Sequence, residues 1–358
     1  MATTPQRAPA RPAVRPRPAA PHVSVVVINY CQWRSTDRLT RQLVGADAID
    51  AGRADVIVVD NDSPPDPAAA RLRRRPGVAL KAFPRNTGFA RAANEGCRLT
   101  RGDWVLLLNP DTAVPDGFLD QLDALCRSLD LDDPKVGVVG LSLVHGDGSP
   151  QASGGPPPTL FRTLTGLVLP RRIRKGRPVR GTDRVAVPWV TGCGMLIRRA
   201  CWADIGGFDE SFFLYYEDTD FCRRALAAGW TVWHEPGLRL THFKPLHTRP
   251  VPPELRLMTR HALLTYADKY WPGWQAKALA GVVWAEALAR HLRAVAGRTP
   301  AGLHRELRRL AGDWIAGRLL SARARVRRAS GLLANCAGRD DDGGPLESTE
   351  AEALRAAG

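Results

Sequence analysis

The chain has 358 residues, with 51 Lys and Arg against 36 Asp and Glu, a formal net charge of +15 and an isoelectric point near 10.2. That length holds one large domain with an appendage or two modest domains, and 44% hydrophobic content suits a globular core rather than a disordered chain. The cationic excess points to an anionic partner, whether nucleic acid, a phosphorylated small molecule or an acidic membrane surface.

Residues 1–21 hold six prolines and four arginines and almost no large apolar side chain, so they read as a basic disordered arm. This start lacks the apolar core of a signal peptide, and no run reaches the roughly 18 apolar residues of a membrane span. The expectation is a cytoplasmic protein whose membrane contact, if any, is peripheral. The seven cysteines, Cys31, Cys97, Cys126, Cys193, Cys201, Cys222 and Cys336, are odd in number and contain no Cys-x-x-Cys pair. That argues against a disulfide framework or zinc site and fits a reducing compartment.

Order is expected to begin at Val23–Asn29, an apolar run with the character of a buried strand, followed by a helix over 36–45. Strands are predicted over 55–60, 78–83 and 104–109, and helices over 90–99 and 118–129. A further strand is predicted over 136–144. Strands apolar on both faces and alternating with helices imply a mostly parallel sheet covered on both sides. Ligands collect beyond the carboxyl ends of such strands. Asn29-Tyr30, Asp60-Asn61-Asp62 and Asn109-Pro110-Asp111 are the polar tips expected there.

Residues 149–184 are rich in Gly, Pro and Arg and read as a mobile basic loop. The strand pattern returns over 185–197, and short strands are predicted over 230–233 and 238–242. Between them, residues 206–220 pack five carboxylates among five aromatic rings, just ahead of a helix that Asp218 is placed to cap. From about Pro253 the pattern is helical to near Leu333. There Leu303, Leu307, Leu310 and Trp314 share a face, and nine arginines face two acids between Arg298 and Arg328. Such a helix lies on an anionic membrane surface or packs on its own domain. Residues 335–358 form an acidic tail expected to be disordered.

Several residues suggest chemistry. Asp111 leaves a strand end stiffened by Pro110, as a hard cation between phosphates requires. Asp60 can accept from a ribose hydroxyl or a base N–H. Gly88 opens a helix between Arg85 and Arg91, in a form that matches neither Gly-x-Gly-x-x-Gly nor the Walker pattern. A carboxylate at a helix start, as at Asp218, suits either a cap or a general base.

Taken in order, Val23-Ser-Val-Val-Val-Ile-Asn-Tyr30, Val58-Val-Asp-Asn-Asp-Ser63, Asn86-Thr-Gly-Phe-Ala-Arg-Ala-Ala-Asn94, Leu106-Leu-Leu-Asn-Pro-Asp-Thr112, Val190-Thr-Gly-Cys-Gly-Met-Leu-Ile-Arg198, Gly206-Gly-Phe-Asp-Glu-Ser-Phe-Phe213 and Tyr216-Glu-Asp-Thr-Asp220 form a series. It resembles the inverting family-2 glycosyltransferases, most of all the rhamnosyltransferase-like branch of bacterial cell-surface polysaccharide synthesis. The resemblance implies an α/β GT-A fold over 22–250, Rossmann-like, with a mostly parallel central sheet, helices on both faces and a C-terminal helical extension over 251–334. It implies a nucleotide-diphosphate sugar donor, a glycan, lipid-linked or small-molecule acceptor, and Mg²⁺ or Mn²⁺.

By the same resemblance Asp218 is the general base and Glu217 its companion, orienting it or binding the acceptor. Asp111 and His242 are the metal ligands, with Asn109 standing where the commoner Asp-x-Asp form has its first acid. Asn29, Asp60, Gly88, Asn94, Asn109, Trp189, Gly192 and Arg224 fall on the donor side, with Arg224 placed to offset diphosphate charge. A second reading is a non-catalytic protein that binds an anionic surface on the same fold. Acids at both the metal and base positions favour the enzyme, and nucleic acid is the least favoured partner.

Overall fold

The computed structural model describes residues 21–168, 181–243 and 253–337. The expected basic arm, acidic tail and most basic part of the 149–184 loop lie outside them. In chain order the elements are β1 (Val23–Asn29), α1 (Trp33–Val44), α2 (Asp47–Asp50), β2 (Ala54–Asp60), α3 (Pro67–Arg73), β3 (Val78–Ala82), α4 (Phe89–Leu99), β4 (Trp104–Leu108), β5 (Thr112–Ala113) and α5 (Phe118–Asp132). There follow β6 (Val136–Val144), β7 (Pro150–Gln151), α6 (Leu160–Val168), β8 (Val185–Ala186), β9 (Gly194–Arg198), α7 (Arg199–Asp204), α8 (Glu217–Ala227) and β10 (Thr231–His242). The chain closes with α9 (Pro253–Tyr270), α10 (Gly273–Ala296), α11 (Gly302–Ile315) and α12 (Leu319–Ala337).

One ten-stranded sheet runs β3-β2-β1-β4-β9-β6-β10-β5, with β7 beside β6 and β8 beside β10. β1 pairs in parallel with β2 and β4, β2 with β3, and β6 with β10, while β9 runs antiparallel between β4 and β6. Alternation along β1 shows why both faces are covered. Val23, Val25 and Val27 pack with Leu39 and Leu43 of α1 and Phe118 of α5, whereas Val26 and Ile28 pack with Ala93 and Cys97 of α4.

The expected strand over 185–197 is broken: only β8 and β9 are extended, and residues 188–193 turn toward the sheet rim. Conversely, the two strands expected at 230–242 are one, β10, with a register shift between Glu235 and Arg239. A bulge admits the extra residues and tolerates Pro236, whose missing N–H would break a regular ladder. Within 149–184, β7 and α6 are ordered.

The apolar face of α11 decides between the two readings of the C-terminal helices. Leu307 and Leu310 are buried against Leu255, Met258 and Val326, with Leu303 and Trp314 packed beside them. That face is used inside the protein. The same cluster takes in Phe213, Leu214 and Tyr215, so the helices also grip the loop leading into α8.

Candidate active site

The parallel register brings Asn29 of β1 opposite Asp60 of β2, both buried at the carboxyl edge of the sheet. Asn29 Nδ2 donates to Asp60 Oδ1 (2.8 Å) and Ser63 Oγ (3.0 Å), while its Oδ1 accepts from Thr36 Oγ1 (2.8 Å). Asn29 thereby fixes the Asp60 carboxylate. Burial pushes the Asp60 pKa up against the bonds from Ser63 and Asn29. Beside it Asn61 Nδ2 donates to Asn86 Oδ1 (3.0 Å) and its Oδ1 accepts from Thr87 N (2.8 Å), which ties the β2 tip to the turn before α4.

Gly88 ends that turn at φ +88°, and a Cβ there would lie 2.5 Å from the Phe213 carbonyl oxygen. Only glycine permits this approach, in which Phe89 N donates to Phe213 O (2.7 Å). The expected donor-side turn is thus keyed to the carboxylate-rich loop. Asn94 bonds the carboxylate-rich loop. Its Nδ2 donates to Phe208 O (2.9 Å) and Glu210 Oε1 (3.2 Å), and its Oδ1 accepts from Phe208 N (2.8 Å). Arg224 is likewise committed, donating to Asp220 Oδ2 (2.8 Å), Ile205 O (2.7 Å) and Gly207 O (2.7 Å). With its guanidinium bonded this way Arg224 braces the loop around 205–208, and Asn94 bonds the same loop.

β4 runs beside β1, so Asn109 and Asp111 emerge at the same edge. Asp111 is buried, and His242 at the end of β10 brings Nε2 to 3.5 Å from Asp111 Oδ1. Gln151 of β7 sets that imidazole. Its Nε2 donates to the carbonyls of His242 (2.7 Å) and Val144 (3.1 Å), so its Oε1 is the atom that faces His242 Nδ1 at 3.0 Å. An amide oxygen accepts only, so Nδ1 carries the proton and Nε2 is left toward Asp111. Burial lowers the His242 pKa, but Cys193 and Asp111 beside it outweigh burial and raise it. Asn109 is held through its backbone N–H, which donates to Cys193 O (3.3 Å).

Asp218 lies in the first turn of α8, and Tyr216, at φ +66°, occupies the cap. The expected capping role therefore falls away. Asp218 Oδ1 accepts from Thr219 N (2.7 Å), and Oδ2 accepts from Gly192 N (3.1 Å). Burial pushes its pKa up, opposed by those donors, yet the residue keeps partial exposure. Glu217 differs: it is buried, its Oε2 has no partner among the described residues, and burial with Asp218 nearby raises its pKa well above the ordinary value. Tyr215 and Tyr216 both sit at positive φ, +74° and +66°, an uncommon pair that aims this turn.

The turn over 191–193 joins the two centres, its Gly192 N–H on Asp218 and its Cys193 side chain against His242. Trp189, just upstream, donates from Nε1 to Pro156 O (3.1 Å).

An amide holding a carboxylate at the first two strand tips, a carboxylate and imidazole at the next, and a partly exposed acid across a glycine turn gather at the carboxyl edge of the sheet. The family model described as glycosyltransferase like family 2 matches residues 20–262. The chain belongs to this family. It is 30% identical over 244 residues to the N-acetylglucosaminyl-diphospho-decaprenol L-rhamnosyltransferase of Mycobacterium tuberculosis, covering 62% of this chain and 77% of that protein. It is 26% identical over 211 residues to the low-salt glycan biosynthesis hexosyltransferase Agl10 of Haloferax volcanii, covering 57% of this chain and 61% of the other. Among solved structures, GalNAc-T7 with UDP, GalNAc and Mn²⁺ aligns at TM-score 0.52 and 15% identity, over 83% of this chain and 55% of that one. The fold is GT-A, and the protein is an inverting, rhamnosyltransferase-like glycosyltransferase.

Sequence reasoning missed three parts of this glycosyltransferase. Gln151 sits in a stretch whose Gly and Pro content reads as loop, and Ser63 closes the Asn29–Asp60 pair from a turn. Asp220, fully buried, accepts from Lys269 Nζ and Tyr270 Oη of α9, both at 2.6 Å. An acid two residues after Asp218 in a helix was a visible signal, but its partners lie about 50 residues on.

Proposed function

We propose that this glycosyltransferase moves rhamnose or a related sugar from a nucleotide-diphosphate donor to a hydroxyl of a lipid-linked glycan, with Asp218 as general base. The observation that carries this reading is the 191–193 turn, which joins a partly exposed carboxylate to the Asp111–His242 pair. Inversion places the acceptor hydroxyl on the face of the sugar opposite the diphosphate. A base is needed on that side, and Asp218 is the partly exposed one of the two adjacent acids. Burial and the adjacent Asp218 raise the Glu217 pKa well above its ordinary value and favour its neutral form, so Glu217 is not the group that takes the proton. Asn29 and Ser63 orient Asp60 to accept from the donor's ribose or base.

Asp111 and His242 fit a divalent cation. One carboxylate oxygen and one imidazole nitrogen stand 3.5 Å apart, close to the roughly 3 Å between adjacent ligands of an octahedral ion. With two protein ligands, such a cation would take its other oxygens from diphosphate and water. When bound, such a cation offsets the charge on the leaving diphosphate. Gln151 holds His242 in the tautomer that leaves Nε2 for it. The Gln151→Leu protein is expected to require about tenfold to a hundredfold more Mn²⁺ for half-maximal binding, measured by calorimetry with donor nucleotide present.

The test of function is a panel of nucleotide-diphosphate sugars incubated with the folded protein and Mn²⁺. Release of nucleoside diphosphate from one donor, stimulated by a polyprenyl-diphosphate-linked acceptor, is the expected outcome. Inertness of every donor would overturn the reading.

A further inference from the structure

The four C-terminal helices account for most of the protein's basicity: residues 251–334 carry fifteen Lys and Arg against five Asp and Glu. Their inner faces are closed, but α10 has a second apolar face. Ala276, Leu279, Ala280, Val283, Ala287 and Ala294 pack inward on α9 and α11. At 100° per residue the opposite face holds Trp274, Gly281, Ala285, Leu288 and Leu292, and Trp284, Val295 and Lys277, the nearest charge, lie along one flank of it. Trp274 is 66% exposed, Leu292 58% and Val295 57%. The stripe runs along a helix of 24 residues, about 36 Å, and its residues enter neither of the buried clusters that close the helical region. Phe161 of α6, 76% exposed, follows Leu160, which packs into the same helical cluster as Leu279.

We propose that this outward face of α10 seats the enzyme on an anionic bilayer surface. This deepens, and rests on, the proposed lipid-linked acceptor. The rim favours the bilayer over a second copy of the chain. Lys277, Arg293 and Arg298 are exposed and have no acidic partner among the described residues, and the helix's one acid, Glu286, is taken up by Arg260 and Arg290. Pairing α10 with its own copy would set one basic rim against another, whereas anionic headgroups complement it. Two tryptophans along the stripe suit the headgroup boundary, where an apolar ring with one N–H donor is best placed. No helix among the described residues is long and apolar enough to cross a membrane, so the contact is in-plane. The surface is tied to the catalytic side, since Trp271 just ahead of α10 donates to Pro158 O (3.2 Å) and the same segment accepts from Trp189 through Pro156.

The experiment is co-sedimentation of the full chain with vesicles of phosphatidylcholine containing phosphatidylglycerol, against phosphatidylcholine alone. The wild type should pellet with the anionic vesicles and shift its tryptophan emission to the blue. Trp274→Glu with Leu292→Glu should weaken this by at least about tenfold. Lys277→Glu with Arg293→Glu, which leaves the apolar face intact, should abolish the preference for anionic vesicles. Thermal melts by circular dichroism establish that both variants fold. Binding by both variants equal to wild type would overturn the proposal, as would absence of vesicle binding by the wild type. A wild-type dimer that the Trp274→Glu, Leu292→Glu variant dissociates, without vesicle binding, would assign the face to a second copy. Donor hydrolysis should be unchanged in both variants. Its absence from wild type, with vesicle binding intact, would count against sugar transfer and not against the surface.

Discussion

Asp218→Asn is expected to lower kcat by about a hundredfold to ten-thousandfold while leaving the thermal midpoint and donor affinity nearly unchanged. The amide keeps an oxygen for Thr219 N or Gly192 N, the two backbone donors that hold Asp218, but it cannot accept a proton. Glu217→Gln separates the roles of the neighbours. Burial and the neighbouring Asp218 raise the Glu217 pKa well above its ordinary value, which favours its neutral form, and a primary amide is a neutral group of nearly the same shape, so this variant should retain activity to within about tenfold. Loss of activity in Glu217→Gln with retention in Asp218→Asn would reverse the assignment.

The pH profile supplies a separate readout. Burial raises the Asp218 pKa above its ordinary 3.8, and the base works only when ionised. Activity should therefore be present above the raised pKa and fall as pH drops through it, with an inflection on the acid side lying above 3.8. That limb should vanish from the residual activity of Asp218→Asn. A limb at or below the ordinary aspartate value would show that another group controls the profile.

The parts of this fold that were legible in the sequence are those whose signal is local. β1, β2, β4 and β6 are apolar on both faces because helices cover both sides of the sheet, and a continuous apolar run reports that directly. Asp111 and His242 were legible through motif order, and the structure brings them together. The bonds that Asn94 and Arg224 make were not, because they go to backbone groups at 205–208 and side chains that only the folded chain assembles. Leu303, Leu307 and Leu310 marked an apolar helix face correctly, but periodicity states that a face is apolar and not what covers it. The 185–197 stretch failed for a related reason. Pro188, Gly192 and Gly194 interrupt it, and the turn they make is what delivers an N–H to Asp218.

Asp220→Ala is expected to cost about 3 kcal/mol of stability, near the low end for breaking a buried charge pair. The figure is held down because Lys269 and Arg224 are partly exposed, 31% and 22%, and can turn toward water when the carboxylate is removed. For a chain of 358 residues that corresponds to a fall in Tm of roughly 4 °C, read by circular dichroism. Asp209→Ala removes a partly exposed pair with the same Lys269 and a bond accepted from Ser211 N (2.9 Å), and should cost no more than about 1 kcal/mol. Equal losses in the two variants would sink the argument that the buried carboxylate is the hub. The reason for expecting a large difference is topological. Asp220 ties α8 to Lys269 and Tyr270 of α9, and Arg224, its fourth-residue neighbour, ties α8 to the carbonyls of Ile205 and Gly207. The first turn of α8 also carries Glu217 and Asp218. Loosening Asp220 therefore frees the helix that aims the base, and kcat should fall in the Asp220→Ala protein even at temperatures where it remains folded. The C-terminal helices thus hold the start of α8 through this carboxylate as well as through the cluster that takes in Phe213, Leu214 and Tyr215, whatever their outer face meets.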